Sequence, residues 1–313
     1  MGRDLKILMP LKSINTYIII ALKGFCMGAA DVVPGVSGGT MALILGIYET
    51  LINAIRSFNL NFLKLVASMK LKEAALSASL PFLLPLILGI LSAILSLAKT
   101  LSWLLDNHPV IVWSFFFGLV LSSIFTVGRT IREWKISCIS ATGLGAVSSF
   151  FLFGLIPLIT PDAPWFIFFS GFIAICAMIL PGISGAYILV LLGKYHYILE
   201  AVNNRDFLTI FILLGGALIG ILSFVRIIGW FLRKYHDITM AVLIGLMIGS
   251  LRRIWPWKET VMAYINSHGE EAHALQTNIL PSSFDRNLML TLFFMIIGFA
   301  LVLIMDFLAK KTK

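Results

Sequence analysis

Long apolar runs, separated by short polar or basic stretches, dominate the chain. Six of them lie at residues 76–98, 109–128, 136–158, 207–232, 239–251 and 287–308. A helix needs about 20 consecutive apolar residues to cross a bilayer. All of the runs reach that length except 239–251, whose ends must be extended. The pattern therefore predicts an all-α polytopic integral membrane protein.

Two further apolar segments, at 14–55 and 165–202, are interrupted by a Pro-Gly pair that is followed by Ser-Gly. The arm after each break has about 15 residues, which at ~1.5 Å per residue covers ~22 Å and falls short of the ~30 Å hydrocarbon core. We therefore expect each segment to form a re-entrant helical hairpin with its Pro-Gly tip near the middle of the membrane. Two full crossings per segment are the alternative, because residues 14–33 alone are long enough to span.

The two broken segments are copies of one another. When residues 24–55 are placed on residues 171–202, eleven of the thirty-two ungapped positions are identical, and both the Pro-Gly and the Ser-Gly pairs coincide. General hydrophobicity does not align such pairs, so the sequence indicates a duplicated unit within one structural domain. The first repeat covers residues 1–160 and the second covers 161–313, each with a broken hairpin followed by three transmembrane helices.

The number of crossings predicts how the two copies are oriented. An odd number per unit turns the second copy upside down, which is an inverted-topology repeat, and brings both termini to one side. With that side in the cytoplasm, fifteen of the 24 lysines and arginines lie in cytoplasmic segments and seven in external ones. Lys23 and Arg226 are left within the membrane. This excess agrees with the positive-inside rule, so we expect cytoplasmic N- and C-termini.

The amino-acid composition also indicates a membrane protein and argues against a nucleic-acid-binding protein. The chain has 313 residues, of which 59% are hydrophobic and only 12% charged, whereas soluble domains carry about a quarter charged residues. The net charge of +9 is distributed in short clusters between the apolar runs, which indicates topology rather than binding to nucleic acid. The three cysteines and five histidines have unrelated spacings, so we expect no disulfide, metal site or cofactor.

The residues after each break suit an anion. Ser37 is a natural N-cap for a helix that starts at Gly38, and Ser184 has the same relation to Gly185. Free N–H groups and the helix dipole at such an N-terminus attract phosphate, and glycines let a ligand approach the backbone. The predicted phosphate-binding positions here are Ser37, Gly38, Gly39, Thr40, Ser184 and Gly185, and the hairpin breaks are Pro34, Gly35, Pro181 and Gly182. The alternative is that the breaks are kinks and close-packing devices, which are common in membrane helices.

Three charged residues fall at membrane depth. Asp31 has no copy, because its repeat partner is Met178, and an intramembrane carboxylate is a functional candidate by default. We expect it to bind a coupling proton or Na⁺; capping local backbone or pairing structurally with Lys23 is the alternative. Lys23 and Arg226 are candidates for binding the phosphate, although Arg226 lies near a helix end and is equally placed to extend its charge to the interface.

The two broken segments resemble the signature segments of a bacterial family, the polyprenyl-phosphate translocases of the PopT type, formerly a domain of unknown function. The matching stretches are GFCMGAADVVPGVSGGTMALILGIYETLINAI and PGISGAYILVLLGKY, and the resemblance covers essentially the whole chain. It implies translocation of undecaprenyl phosphate, the lipid carrier of cell-wall synthesis, from the outer to the inner leaflet of the cytoplasmic membrane for reuse. The motif positions carried over are Asp31, Pro34, Gly35, Ser37, Gly38, Gly39, Pro181, Gly182, Ser184 and Gly185.

A polyprenyl phosphate agrees with both the family resemblance and the predicted anion site. Its anionic head matches two facing helix N-termini, while its tail stays in the bilayer. No Walker motif is present, so we expect an ion gradient to supply the energy. A secondary transporter of a small anionic solute is the alternative. We do not expect an enzyme such as a lipid phosphatase, because no histidine lies near the two breaks. The oligomeric state stays open.

Overall fold

A computed structural model describes residues 14–33, 36–265, 271–281 and 286–311. The predicted breaks at Pro34 and Gly35 lie outside the described residues. The helices are α1 (Ile14–Asp31), α2 (Gly38–Ile44), α3 (Tyr48–Arg56), α4 (Leu60–Ala67), α5 (Leu71–Ser77), α6 (Leu80–Asn107), α7 (Pro109–Gly128), α8 (Ile136–Leu152), α9 (Pro164–Ile179), α10 (Gly185–Leu191), α11 (Tyr195–Asn203), α12 (Phe207–Lys234), α13 (His236–Ser250) and α14 (Arg286–Lys311). Two strands, β1 (Lys258–Ile265) and β2 (Glu271–Asn278), lie between α13 and α14.

Four helices in the described part of the chain are long and apolar enough to cross a membrane. They are α6, α7, α12 and residues Asn287–Phe307 of α14. The pair α2–α3 passes the same test as a fifth, broken span, with a bend of 118° between its two helices. Shorter apolar helices α8, α9 and α13 accompany them. The chain is therefore a helical polytopic membrane protein, as the hydrophobic pattern predicts.

The helix ends depart from the predicted ranges where local chemistry intervenes. The run predicted at 76–98 becomes α6, which starts at Leu80 and continues to Asn107 because residues 101–105 are still mostly apolar. The run predicted at 136–158 stops at Leu152, just before Gly154 and Pro157, which disfavour helix.

Two of the polar connections contain secondary structure that the hydrophobic pattern did not predict. Strands β1 and β2 form an antiparallel hairpin in which Lys258 pairs with Asn278 and Ile265 with Glu271. Helices α4 and α5 fill the connection before α6, and Asn59 caps α4 by accepting hydrogen bonds from the N–H groups of Asn61 and Phe62.

The element pattern repeats along the chain. Helices α2 and α10 each have seven residues, α3 and α11 each have nine, and α6 and α12 each have 28. The starts of α2 and α10, at Gly38 and Gly185, are 147 positions apart, whereas the starts of α6 and α12, at Leu80 and Phe207, are 127 positions apart. The difference corresponds to α4 and α5, which have no counterpart between α11 and α12.

Glycines bring the paired helices into close backbone contact. A Cβ atom added to Gly24 of α1 would lie 2.1 Å from the carbonyl oxygen of Leu86 in α6, and one added to Gly171 of α9 would lie 2.2 Å from that of Leu213 in α12. Further along, α7 packs on α14 and α8 packs on α13. The pairs α7–α14 and α8–α13 each take one helix from each half of the chain, whereas α1–α6 and α9–α12 each lie within one half.

At one end of the helical bundle, two contacts join segments that are far apart in the sequence. His236, the first residue of α13, lies 3.1 Å from Glu49 at the start of α3. Arg129, after the end of α7, forms a 3.8 Å ion pair with Asp306 near the end of α14. We call this the Glu49 end.

The opposite end surrounds a cavity of about 410 Å³, which is lined by His108 at the α6–α7 junction, Trp257 before β1 and Asn287 at the start of α14. We call it the Trp257 end. Helix α7 runs from the Trp257 end to the Glu49 end, and α13 runs in the opposite direction.

Candidate functional site

The residues that follow the first break contact the second break, although the two are far apart in sequence. The Ser37 hydroxyl donates to the Met178 carbonyl at 3.2 Å, and the Gly182 N–H donates to the Thr40 hydroxyl oxygen at 2.9 Å. A Cβ added to Gly39 would lie 2.8 Å from the carbonyl oxygen of Ile179, so glycine is needed for this approach. Both Ser37 and Thr40 are buried, with 1% and 0% of their surface exposed.

The N-terminus of α2 is capped by the chain's own groups. Ser37 has extended backbone, and its hydroxyl oxygen accepts a hydrogen bond from the Gly39 N–H at 3.1 Å. The Gly38 N–H donates to a carboxylate oxygen of Asp31 at 2.6 Å. These contacts satisfy N–H groups that would otherwise lack partners within the helix. Asp31 thus occupies the position at which the sequence predicts a phosphate.

The N-terminus of α10 is built differently. Ser184 precedes the helix with extended backbone but makes no side-chain cap. Gly182 has a φ of +85°, a conformation that favours glycine, and a Cβ there would lie 2.9 Å from the Ser250 hydroxyl. Tyr187 stands where the first repeat has Thr40, and its hydroxyl donates to the Leu152 carbonyl at 3.0 Å. The duplicated motifs therefore have unequal surroundings.

The predicted basic residues contact backbone carbonyls. Lys23 donates to the Leu45 carbonyl at 3.0 Å, at the C-terminal end of α2, where the helix dipole favours a cation. Asp31 and Lys23 thus contact opposite ends of the same short helix. Arg226 donates to Leu222 at 2.6 Å and to Phe58 at 3.1 Å, which places its guanidinium beside the α3–α4 junction.

Sequence reasoning missed a group of cations at the Trp257 end. Arg253 lies over the Tyr187 ring at 5.3 Å from the ring centroid, and Lys258 lies over the Trp113 ring at 4.3 Å. The Lys258 ammonium donates to the Arg253 carbonyl at 2.5 Å. Burial, together with the positive charge of Arg253, lowers the pKa of Lys258 to about 7. The available signal was the Arg-Arg pair directly after an apolar helix, which by itself indicates only topology.

A second buried cation, Lys194, was also missed, and it has a counter-ion. Its side chain is 2% exposed and forms an ion pair with Asp162, whose side chain is 60% exposed. The same ammonium donates to the Thr160 carbonyl at 2.8 Å. These contacts tie the segment before α9 to the start of α11. Among the described residues, no three His, Cys, Asp or Glu side chains gather as metal ligands would.

Comparisons with known proteins place the chain in a family. A family model described as undecaprenyl phosphate translocase-like matches residues 27–272, a range that includes both breaks. A polyprenyl-phosphate transporter of Vibrio cholerae is 44% identical over 306 residues, covering 96% of this chain and 99% of that protein. A polyprenyl-phosphate transporter of Staphylococcus aureus is 32% identical over 255 residues, covering 75% of this chain and 85% of that protein. No solved structure matches the chain significantly.

Proposed function

The chain belongs to the undecaprenyl phosphate translocase-like family, and from this premise we propose that it moves undecaprenyl phosphate from the outer to the inner leaflet of the bacterial cytoplasmic membrane. The carrier lipid then becomes available for another round of cell-envelope synthesis. The observation that supports the proposal is the contact between the start of α2, just after the first break, and the second broken segment, where the Ser37 hydroxyl donates to the Met178 carbonyl. Irregular backbone at membrane depth is tolerated where it is buried in protein or lines a transport path.

The capped end of α2 gives this path a chemical basis. Asp31 donates no hydrogen bond when ionised, and its carboxylate already accepts from the Gly38 N–H. A phosphate is also an anion that accepts from such groups, so both cannot use the same N–H at once. We propose that the phosphate and the Asp31 carboxylate compete for the N-terminal end of α2, with the predicted positions Ser37, Gly38, Gly39 and Thr40 on one side and Ser184 and Gly185 on the other.

This competition links transport to a proton or Na⁺. A proton on Asp31 removes the negative charge that repels the phosphate and weakens the charge-assisted bond to Gly38, since bonds to ionised groups are the stronger ones. Na⁺ next to the carboxylate acts in the same direction. Helix α2 is held at one end by Asp31 and at the other by Lys23, which contacts Leu45. We propose that a movement of the Asp31 side chain therefore shifts the whole helix. Lys23 and Arg226 stay predicted phosphate ligands.

The opposite directions of α7 and α13 support an inverted-topology repeat. In the same proposal, the hairpins are re-entrant, and both termini face the cytoplasm together with the Glu49 end. The 118° bend between α2 and α3 suits a segment that turns within the membrane. Transport then consists of exposing the breaks first to the outer leaflet and then to the inner one, with no covalent change to the lipid.

Transport by purified protein in proteoliposomes tests the function. A fluorescent short-chain polyprenyl phosphate is added to the bilayer, and the fraction accessible to a membrane-impermeant quencher is followed over time. We expect faster exchange between leaflets than in protein-free vesicles, and no released inorganic phosphate. Equal rates with and without protein contradict the proposal, and release of phosphate identifies an enzyme.

Two further measurements test the class of substrate and the coupling to an ion gradient. Excess inorganic phosphate inhibits strongly if the substrate is a small anionic solute, but weakly if the lipid is recognised. Asp31→Asn should abolish the dependence on imposed pH and Na⁺ gradients, whereas Asp106→Asn, which changes an exposed carboxylate in α6, should preserve it. Transport by the wild type that ignores both gradients contradicts coupling but leaves translocation intact.

A further inference from the structure

Three cations gather where α13 ends. Arg252 and Arg253 lie in the turn after α13, and Lys258 begins β1. The turn lies beside the second break, because a Cβ on Gly182 would approach the Ser250 hydroxyl to 2.9 Å. We call Arg252, Arg253 and Lys258 the basic cluster. It lies at the Trp257 end.

The basic cluster is partly buried against aromatic rings. Arg253 faces the Tyr187 ring of α10, Lys258 faces the Trp113 ring of α7, and Arg252 lies 4.3 Å from the centroid of the Phe150 ring of α8. Ring faces attract cations without using up all their N–H donors. The cluster therefore keeps donors in a place from which water is largely excluded.

Arg253 lacks the partner that a buried cation normally has. Its Nε is buried and makes no hydrogen bond in the described part of the chain. Among the described side chains, no carboxylate forms an ion pair with Arg253 or Lys258, whereas buried Lys194 is paired with Asp162. Buried charges are usually paired, because leaving them without a counter-charge is costly. Among the described residues, the positive charge of Arg253 is therefore not balanced by a carboxylate.

The chemistry of the cluster suits a phosphate monoester. An arginine presents a planar set of donors that matches phosphate oxygens, and a lysine adds a compact charge. A monoester carries close to two negative charges at neutral pH, which two cations balance. The cavity of about 410 Å³ lined by Trp257 and His108 lies at the same end of the molecule.

The arginines of the basic cluster are not copied at the corresponding positions of the first half. At the 127-position spacing that relates α6 to α12, Arg252 and Arg253 correspond to Phe125 and Thr126. Neither counterpart is charged, so the Glu49 end has no equivalent of the cluster at these positions.

We propose that Arg253 and Lys258 bind the phosphate monoester headgroup of the lipid at the Trp257 end, before it reaches the two breaks, with Arg252 at the rim. This proposal rests on the proposed function for the identity of the lipid, but the anion site itself does not. Bound phosphate supplies the counter-charge that Arg253 lacks. The headgroup then lies next to Tyr187 in the first turn of α10, beside the second break.

Equilibrium binding in detergent tests the site. Three probes are titrated separately: a short-chain polyprenyl phosphate, the matching uncharged polyprenol and inorganic phosphate. We expect Arg253→Gln and Lys258→Gln each to weaken binding of the lipid phosphate roughly tenfold or more and to reduce its salt dependence. Lys99→Gln removes an exposed cation near the end of α6 and should leave binding unchanged. Arg253→Lys keeps the positive charge at this position. A melting temperature equal to that of the wild type shows that a variant is still folded.

The pH profile provides an independent readout. Lys258 loses its charge as the pH rises through about 7, so affinity for the lipid phosphate should fall above that pH. The charged group that acts on Lys258 is Arg253, and Glu259 follows Lys258 in β1. Tyr187 of α10 contacts Arg253, and the uncharged Trp113 of α7 contacts Lys258. Lys258→Arg keeps a cation at all these pH values and should flatten the profile. A wild-type profile that Lys258→Arg leaves unaltered contradicts the assignment.

The outcomes distinguish this site from the function on which it rests. If the wild type translocates the lipid but Arg253→Gln binds it as tightly as the wild type, the site is wrong and the function stands. If inorganic phosphate binds in an Arg253-dependent way but the lipid does not, the anion site stands and the proposed lipid is wrong. Loss of affinity in Lys99→Gln equal to that in Arg253→Gln also overturns the site.

Discussion

Gly38 and Asp31 depend on each other at the start of α2. The Asp31 carboxylate approaches the Gly38 backbone so closely that a Cβ there would lie 2.5 Å from its Oδ2. An alanine must therefore push the carboxylate away and break the cap. The pair explains why glycine follows Ser37: a side chain would displace the carboxylate that satisfies the helix end.

Gly38→Ala should accordingly lower the stability of the protein in detergent by about 1–3 kcal/mol, because a buried N–H loses its partner and the site must rearrange. Gly143→Ala is the matched control, since no atom lies within 4 Å of its added Cβ in α8 and alanine favours helix by about 0.5–1 kcal/mol. Thermal unfolding of both variants measures the difference. A Gly38→Ala protein that melts with the wild type contradicts the cap.

Lys194 and Asp162 form a pair with unequal exposure. The lysine side chain is 2% exposed and the aspartate side chain 60%. Asp162→Asn should destabilise by about 1–3 kcal/mol, because it leaves a buried cation without its counter-charge, whereas Lys194→Met leaves a carboxylate that water can solvate and should cost less. Melting temperatures of the two variants give the order. The reverse order would show that packing of the lysine, and not its charge, dominates.

The short helices show how far sequence could predict the site. Ser37 and Gly38 start α2 as the motif indicates, because the cap is a local property of three or four consecutive residues. The sequence offers backbone capping by Asp31 only as one alternative, since its contact with Gly38 depends on how the chain returns after the break. The Arg253–Tyr187 contact joins residues far apart in sequence, and no local pattern reports which loop charges become buried.

Helices α4 and α5 are an insertion that only the first half of the chain carries. Leu63 of α4 is 58% exposed, and lysines 64, 70 and 72 of the same insertion are exposed too. Apolar and basic side chains together suit a helix lying at the surface of an anionic membrane. The repeat comparison predicted the hairpins but not this element, because an insertion has no copy with which to align.

A spin label at Leu63→Cys should therefore be more accessible to oxygen, which concentrates in lipid, than to a water-soluble nickel complex. Lys64→Cys, one position along the same helix, should show the opposite preference, because a helix lying at the membrane surface places its lysine on the polar side. Labelling requires a background without the three free cysteines Cys26, Cys138 and Cys176. Equal accessibility at both positions would indicate that α4 stands clear of the membrane.

The two ends of the molecule carry the proposed direction of transport. Helices α7 and α13 occupy matching places in the two halves and run in opposite directions, and the basic cluster lies at the Trp257 end. If that end faces outward, the headgroup binds where used carrier lipid accumulates, before it reaches the two breaks. Reversal of the chain in the membrane would give the same residues the opposite task.

Orientation is therefore the decisive property, and two exposed glutamates report it. Glu73 lies in α5, just before α6 leaves the Glu49 end, and Glu259 follows Lys258 at the Trp257 end. In intact cells, a membrane-impermeant maleimide should label Glu259→Cys, and it should label Glu73→Cys only after the membrane is permeabilised. The native cysteines must again be absent. Labelling of Glu73→Cys alone in intact cells would place the basic cluster in the cytoplasm, and the same geometry would then load the lipid phosphate from inside.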